Sequence, residues 1–96
     1  MDHNLMIQKV SRLFLMISVE QIRAARALLG WSQTQLAKAA ERSLPTIKRL
    51  ERDDGEGPSV SADVRDAVQR ALEKAGIEFI AENGGGAGVR MKKRKR

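Results

Sequence analysis

Residues 31–51 read WSQTQLAKAAERSLPTIKRLE and determine how the rest of the chain is interpreted. The Ser32 hydroxyl can accept a hydrogen bond from the backbone of Gln35, and the Gln35 side chain can return one to Ser32. This reciprocal pattern is a capping box and predicts the start of a helix. Ser43 is a second good N-cap, with Pro45 in the first turn, where its missing backbone donor costs little. We therefore expect two short helices joined by a brief turn.

These two helices fit the geometry of a helix-turn-helix. The first is expected to end near Ala40, and the small side chains of Ala37 and Ala40 let the second helix pack closely across it. Ile47 and Leu50 of the second helix would face the core. Its other face is then free to enter the major groove of DNA, which is wide enough to admit an α-helix.

A helix is also expected before this segment, from Val19 to Leu29, ending at Gly30 in a left-handed cap. Its inward side, predicted from helical spacing, comprises Ile22, Ala25, Leu28 and Leu29. Residues 1–17 form an N-terminal extension whose apolar spacing fits a short amphipathic helix. Met16 allows a second interpretation, in which the extension arises from an early start codon.

The chain after residue 52 is expected to add one more helix. Residues 53–58 (DDGEGP) predict a polar loop, Ser59 and Ser61 are competing N-caps, and the helix would end at Gly76. Its predicted inward face comprises Val64, Ala67, Val68, Ala71 and Leu72.

The C-terminal residues predict a small hairpin. Ile77 to Ile80 (IEFI) has the pattern of a strand, residues 83–88 (NGGGAG) of a turn-rich connection, and Val89 to Met91 of a return strand. The expected organisation is an extension at 1–17, a helix-turn-helix domain at 18–76, a hairpin segment at 77–91 and a basic tail at 92–96.

Composition narrows the class of function. The chain has no Cys, which excludes disulfides and Cys-based zinc sites, and its single histidine, His3, lies near the terminus. The run Gly84 to Gly86 is not followed by a phosphate-binding helix, so we expect no enzyme, cofactor or metal site.

No stretch approaches the roughly 18 apolar residues of a membrane span, and no signal peptide is evident, so we expect a cytoplasmic protein.

The positive charge is concentrated in two places. The chain has a formal net charge of +6, and residues 90–96 (RMKKRKR) hold six of its 18 Lys and Arg, which leaves 12 against 12 Asp and Glu elsewhere. Residues 38–52 nevertheless carry a local excess of +3. A basic face of this kind predicts a polyanionic partner, with phosphate contacts supplying much of the affinity. The tail either adds non-specific attraction for DNA or keeps the chain soluble.

Over roughly residues 18–75 the sequence resembles the Cro and phage-repressor-like (XRE) helix-turn-helix regulators. The matching residues are Trp31-Ser32-Gln33, Leu36-Ala37, Ser43, Thr46-Ile47 and Leu50-Glu51. The resemblance implies an all-α, lambda-repressor-like small helical bundle, here with a short C-terminal β-hairpin. It also implies a sequence-specific transcriptional regulator, a repressor that binds a palindromic operator as a homodimer.

The resemblance also implies which residues contact double-stranded DNA. Gln33 would contact a backbone phosphate or brace the second helix, and Leu44 and Pro45 would contact thymine methyl groups. Arg49 would make a bidentate contact to guanine, and Lys48 would reach a base or a phosphate. The residues expected at phosphates are Lys38, Arg42, Ser43, Thr46 and Arg52.

The sequence departs from the family pattern at the turn and at the start of the second helix. A glycine is usual where Glu41 stands and an apolar residue where Arg42 stands; a left-handed conformation costs Glu41 about 1 kcal/mol more than glycine. Leu44 and Pro45 replace glutamines, so base specificity is expected to depend mainly on Arg49 and Lys48. Glu51 follows the family's position for an acid near the end of this helix, and the resemblance implies that it pairs with an arginine at the edge of the core.

An alternative function is an antitoxin or protein-interaction adaptor of a toxin–antitoxin-like operon, with a toxin-like partner protein. For the homodimer, two surfaces are candidates. One is the last helix, through Val64, Val68 and Leu72, and the other is the edge of the strand Ile77 to Ile80.

Overall fold

The computed structural model describes residues 17–52 and 61–93. Within these ranges the chain forms four helices followed by two strands: α1 Val19–Leu29, α2 Gln33–Ala40, α3 Leu44–Glu51, α4 Ala62–Lys74, β1 Ile77–Ile80 and β2 Gly88–Met91. The predictions for residues 1–16, the loop at 53–58, the cap at Ser59 and the last three residues of the tail lie outside the described residues. No helix in the described ranges has the length and apolar character needed to cross a membrane.

Each of these helices begins at a serine whose hydroxyl accepts a hydrogen bond from the backbone of the first turn. The four serines are Ser18, Ser32, Ser43 and Ser61. The capping box predicted for Ser32 and Gln35 is confirmed, and Ser18 and Gln21 form a second one that we did not predict. Of the two serines competing to cap α4, Ser61 does so.

Two helices end in the left-handed conformation, as the sequence predicts. Gly30 closes α1 with φ 69° and ψ 29°, and Glu41 closes α2 with φ 56° and ψ 46°. Glu41 is the one non-glycine residue with positive φ among the described residues. The steric cost expected for Glu41 is therefore present in the folded chain, at the turn before α3.

One apolar core joins the helices to the hairpin. The buried apolar residues of this core are Ile17, Ile22, Ala25, Leu36, Ala37, Ala40, Ile47, Leu50, Val68, Leu72 and Ile77. The inward face predicted for α4 is confirmed at its centre, where Val68 and Leu72 are fully buried. The prediction for Leu28 is wrong, because its side chain is 49% exposed. Leu28 lies about 100° around the helix from Leu29 and so falls outside the buried stripe.

The hairpin predicted at the C-terminal end is confirmed, with β2 beginning one residue early, at Gly88. The strands are antiparallel and pair Ile77 with Met91 and Phe79 with Val89. Ile77 is fully buried, and Phe79 and Val89 pack against the same core. The fold is thus a small helical bundle with a short hairpin packed on it.

Candidate nucleic-acid interface

The helix-turn-helix consists of α2, the turn Glu41–Ser43 and α3. The turn is tight because the backbone N–H of Arg42 donates to the carbonyl of Ala37, at 2.9 Å. Ile47 and Leu50 on the inner face of α3 have no exposed surface, and they belong to the same core as the small residues of α2. The close packing predicted from the alanines is therefore present, and it turns the opposite face of α3 outward.

That outward face of α3 carries Pro45, Lys48 and Arg49, which are all exposed. Neither the Lys48 nor the Arg49 side chain makes a hydrogen bond or an ion pair with any residue in the described ranges. Their charged groups are therefore available to an external ligand. Two adjacent cations on a helix whose other face is buried suit a partner with negative charge or with hydrogen-bond acceptors.

Leu44 and Thr46, also predicted to contact DNA, are only half exposed. Leu44 packs against the core, so part of its side chain faces inward. The Thr46 hydroxyl lies 2.8 Å from that of Ser43, whose oxygen also accepts the Thr46 backbone N–H. Ser43 and Thr46 thus hold each other at the start of α3, at the edge of the exposed face.

Three further cations were predicted to reach phosphates. Lys38 on α2 and Arg52 after α3 are exposed, and their side chains have no partner within the described part of the chain. Arg42 is half-buried, and its guanidinium already pairs with Asp63 of α4, at 3.1 Å. Among the residues that the structure describes, the charges of Lys38 and Arg52 are therefore unpaired, whereas the charge of Arg42 is paired with Asp63.

Glu51 at the end of α3 is the most buried charged group described, with 3% exposure. Both of its carboxylate oxygens accept from Arg26 of α1: Nε donates to Oε2 and Nη2 to Oε1, each at 2.7 Å. These hydrogen bonds raise the pKa of Arg26 above its usual value. The prediction that Glu51 pairs with an arginine at the edge of the core is confirmed.

Gln33 and two arginines extend this contact into a cluster. The Gln33 Nε2 donates to Glu51 Oε1 at 3.2 Å, Arg23 donates to the Glu51 carbonyl, and Arg26 Nη1 donates to the Trp31 carbonyl at 3.0 Å. Gln33 was predicted either to contact a phosphate or to brace the second helix, and its hydrogen bond to Glu51 corresponds to the second role. The cluster ties the end of α3 to both α1 and α2, and so fixes the direction in which the exposed face points.

Two residues of the site were missed from the sequence. Asp63 was assigned no role, although it faces Arg42 across 21 positions of chain. Arg26 was not singled out as the partner of Glu51, 25 positions away. Opposite charge was the only available signal, and it does not select one partner among many. In the described residues there is no group of three or more His, Cys, Asp or Glu side chains arranged to hold a metal ion.

The chain was compared with known families and proteins. A family model described as "Helix-turn-helix" matches residues 22–61, a segment that spans most of α1 and all of α2, the turn and α3. A search of curated proteins found no match. The matched segment contains the exposed face of α3 and the cluster that fixes its direction. Residues 22–61 thus match the XRE/Cro-like helix-turn-helix family, whose members are DNA-binding transcription regulators.

Proposed function

We propose that this protein is a sequence-specific repressor that binds a palindromic operator as a homodimer, with α3 in the major groove. The observation that carries the proposal is the pair Lys48 and Arg49 on the exposed face of α3, whose side chains have no partners among the described residues. The buried Arg26–Glu51 pair supports it, because it holds the helix rigidly beneath that face.

Within α3 the readout is divided by side-chain chemistry. Arg49 makes a bidentate contact to guanine, which discriminates against other bases by about 1–3 kcal/mol. Lys48 contacts a neighbouring base or a phosphate. Pro45 and the exposed part of Leu44 have no donors and contact thymine methyl groups.

Phosphate contacts surround this readout. Lys38, Arg52 and the hydroxyls of Ser43 and Thr46 contact the backbone on either side of the groove. Gln33 uses one amide N–H for Glu51. An amide nitrogen carries two N–H donors, so the second remains for a phosphate oxygen. The basic tail from Lys92 onward adds attraction that does not depend on sequence.

In the homodimer, two copies of α3 occupy half-sites about 34 Å apart, one turn of DNA. Of the two dimer surfaces considered, the one through α4 is wrong as stated, because Val68 and Leu72 are fully buried within the protomer. The edge of the hairpin is the remaining candidate. We expect mass measurement to give two protomers on a palindromic duplex and one on a duplex with a single half-site.

The experiment that tests the function measures affinity for two duplexes across a series of salt concentrations. One duplex carries a sequence selected from random DNA by the wild-type protein, and the other has mixed sequence. We expect affinity for both to fall steeply as salt rises, while the preference for the selected duplex persists. Equal affinity for both duplexes would contradict the proposal.

A matched pair of lysine variants localises the binding surface. Lys48→Ala should weaken binding, whereas Lys74→Ala, which removes the same charge from an exposed position at the end of α4, should change it little. Equal losses in both variants would place the DNA away from α3.

A further inference from the structure

Arg42 is held at one end of its guanidinium by the backbone. Its Nη1 donates to the carbonyls of Glu41 at 3.1 Å and Ala40 at 3.4 Å, at the C-terminal end of α2. Carbonyls at a helix C-terminus attract cations. The side chain is thereby fixed in place immediately before the N-cap of α3, beside the end of the helix expected to enter the groove.

The other end of the guanidinium is engaged by a carboxylate. Arg42 Nη2 lies 3.1 Å from Asp63 Oδ2, in the first turn of α4. The Asp63 side chain is 84% exposed and accepts through one oxygen, whereas the Arg42 side chain is 32% exposed. A single-contact ion pair in solvent is weak, so a phosphate oxygen can replace this carboxylate without moving the Arg42 backbone contacts.

We propose that Asp63 sets the affinity for DNA by competing with a backbone phosphate for Arg42. The inference rests on the proposed function, since it requires DNA at the turn before α3. In the free protein Asp63 neutralises Arg42, and in the complex Arg42 is transferred from Asp63 to the phosphate. Because a phosphate contact carries no sequence information, Asp63 lowers affinity for all DNA sequences alike.

The test measures affinity for a mixed-sequence duplex of about 30 base pairs, three helical turns, with wild type and Asp63→Asn. We expect the variant to bind about two- to fivefold more tightly at low salt, the range of an exposed ion pair. The salt dependence should steepen by up to about one phosphate contact. Unchanged or weaker binding by Asp63→Asn would overturn the proposal.

Two controls separate competition for Arg42 from a general gain in positive charge. Asp66→Asn makes the same charge change one turn along α4, where Asp66 pairs with Arg70 at 2.9 Å. We expect it to raise affinity less than Asp63→Asn. In the Arg42→Gln background, the gain from Asp63→Asn should fall to that of Asp66→Asn. An undiminished gain in that background would show that Arg42 is not involved. Unfolding curves of each variant establish that the fold is retained.

Failure of this inference can be distinguished from failure of the proposed function. If wild type prefers its selected duplex and Arg49→Ala removes the preference, but Asp63→Asn has no effect, only the competition is wrong. If wild type binds neither duplex, both are wrong.

Discussion

At the scale of single residues, Glu41 adopts a backbone conformation that residues with a side chain disfavour. Its φ of 56° is a conformation that glycine adopts without strain. We predict that Glu41→Gly stabilises the protein by about 0.5–1 kcal/mol, measured by urea unfolding. The control, Glu20→Gly in the first turn of α1, should destabilise, because there glycine only lowers helix propensity. Loss of stability in Glu41→Gly would show that the Glu41 side chain contributes more than the strain costs.

Glu51 is a buried charged residue whose loss should disturb the fold without touching DNA directly. Glu51→Gln leaves the partly buried Arg26 without its carboxylate, and we predict a loss of about 2–4 kcal/mol of unfolding free energy. Glu20→Gln, at an exposed acid on α1, should change stability by less than about 0.5 kcal/mol. Similar losses in the two variants would mean that the buried pair has no special role.

The local features of single residues were predictable from the sequence, and their distant partners were not. Serine caps and left-handed turns depend on neighbours within about four positions, so the sequence contains their full description. The contacts of Glu51 with Arg26 and of Arg42 with Asp63 depend on how the helices pack. The family's acid at this position indicated that Glu51 pairs with an arginine, without identifying which one.

At the scale of elements, the Gln21 side chain hydrogen-bonds the hairpin to α1, in addition to the apolar packing between them. The buried Gln21 donates through Nε2 to the carbonyls of Ile80 and Gly88, at 3.3 and 3.0 Å, while its Oε1 accepts the Ser18 N–H. The sequence predicted the strands from their own pattern. It gave no sign of this attachment, because a glutamine three residues after a serine is fully explained as a capping box.

We predict that Gln21→Ala destabilises the protein by about 1–3 kcal/mol and accelerates hydrogen exchange at the hairpin amides. Gln35→Ala is the matched control, since it breaks the exposed capping box of α2, whose hydrogen bonds join Gln35 to Ser32 and not to the hairpin. It should cost about 1 kcal/mol and leave the hairpin exchange rates unchanged relative to the rest of the core. Equal acceleration in both variants would show that Gln21 does not anchor the hairpin.

The outer face of the hairpin carries a pH-dependent contact. Arg90 Nε donates to Glu78 Oε1 at 2.8 Å, and this hydrogen bond, with the attraction between the charges, lowers the pKa of Glu78. A pKa lower in the folded than in the unfolded state means that the pair stabilises the hairpin above the unfolded value. This contribution is lost as pH falls through the folded value.

Titration of the Glu78 carboxyl by NMR checks this pH dependence. Arg90→Gln should raise the pKa of Glu78 towards its ordinary value, whereas Arg70→Gln, on α4, should leave it unchanged. A Glu78 pKa that does not respond to Arg90→Gln would contradict the assigned cause.

At the scale of the whole molecule, the order of helices and strands followed from periodicity and caps, and the outward face of α3 followed from its buried face. What the sequence could not supply was the way the elements hold one another. Leu28 was placed in the core because it is apolar and near the stripe, and only the packing of α1 shows that its side chain stays half exposed. Likewise, the dimer surface proposed on α4 used Val68 and Leu72, which the protomer itself buries.

The central claim is that the exposed face of α3 reads DNA sequence through Arg49. The most direct measurement is selection of bound sequences from random DNA by wild type, by Arg49→Ala, and by Arg70→Ala as a control for lost charge. We predict that Arg49→Ala loses the preference for guanine at one position in each half-site, while Arg70→Ala selects the wild-type sequence. An unchanged base preference in Arg49→Ala would contradict the account.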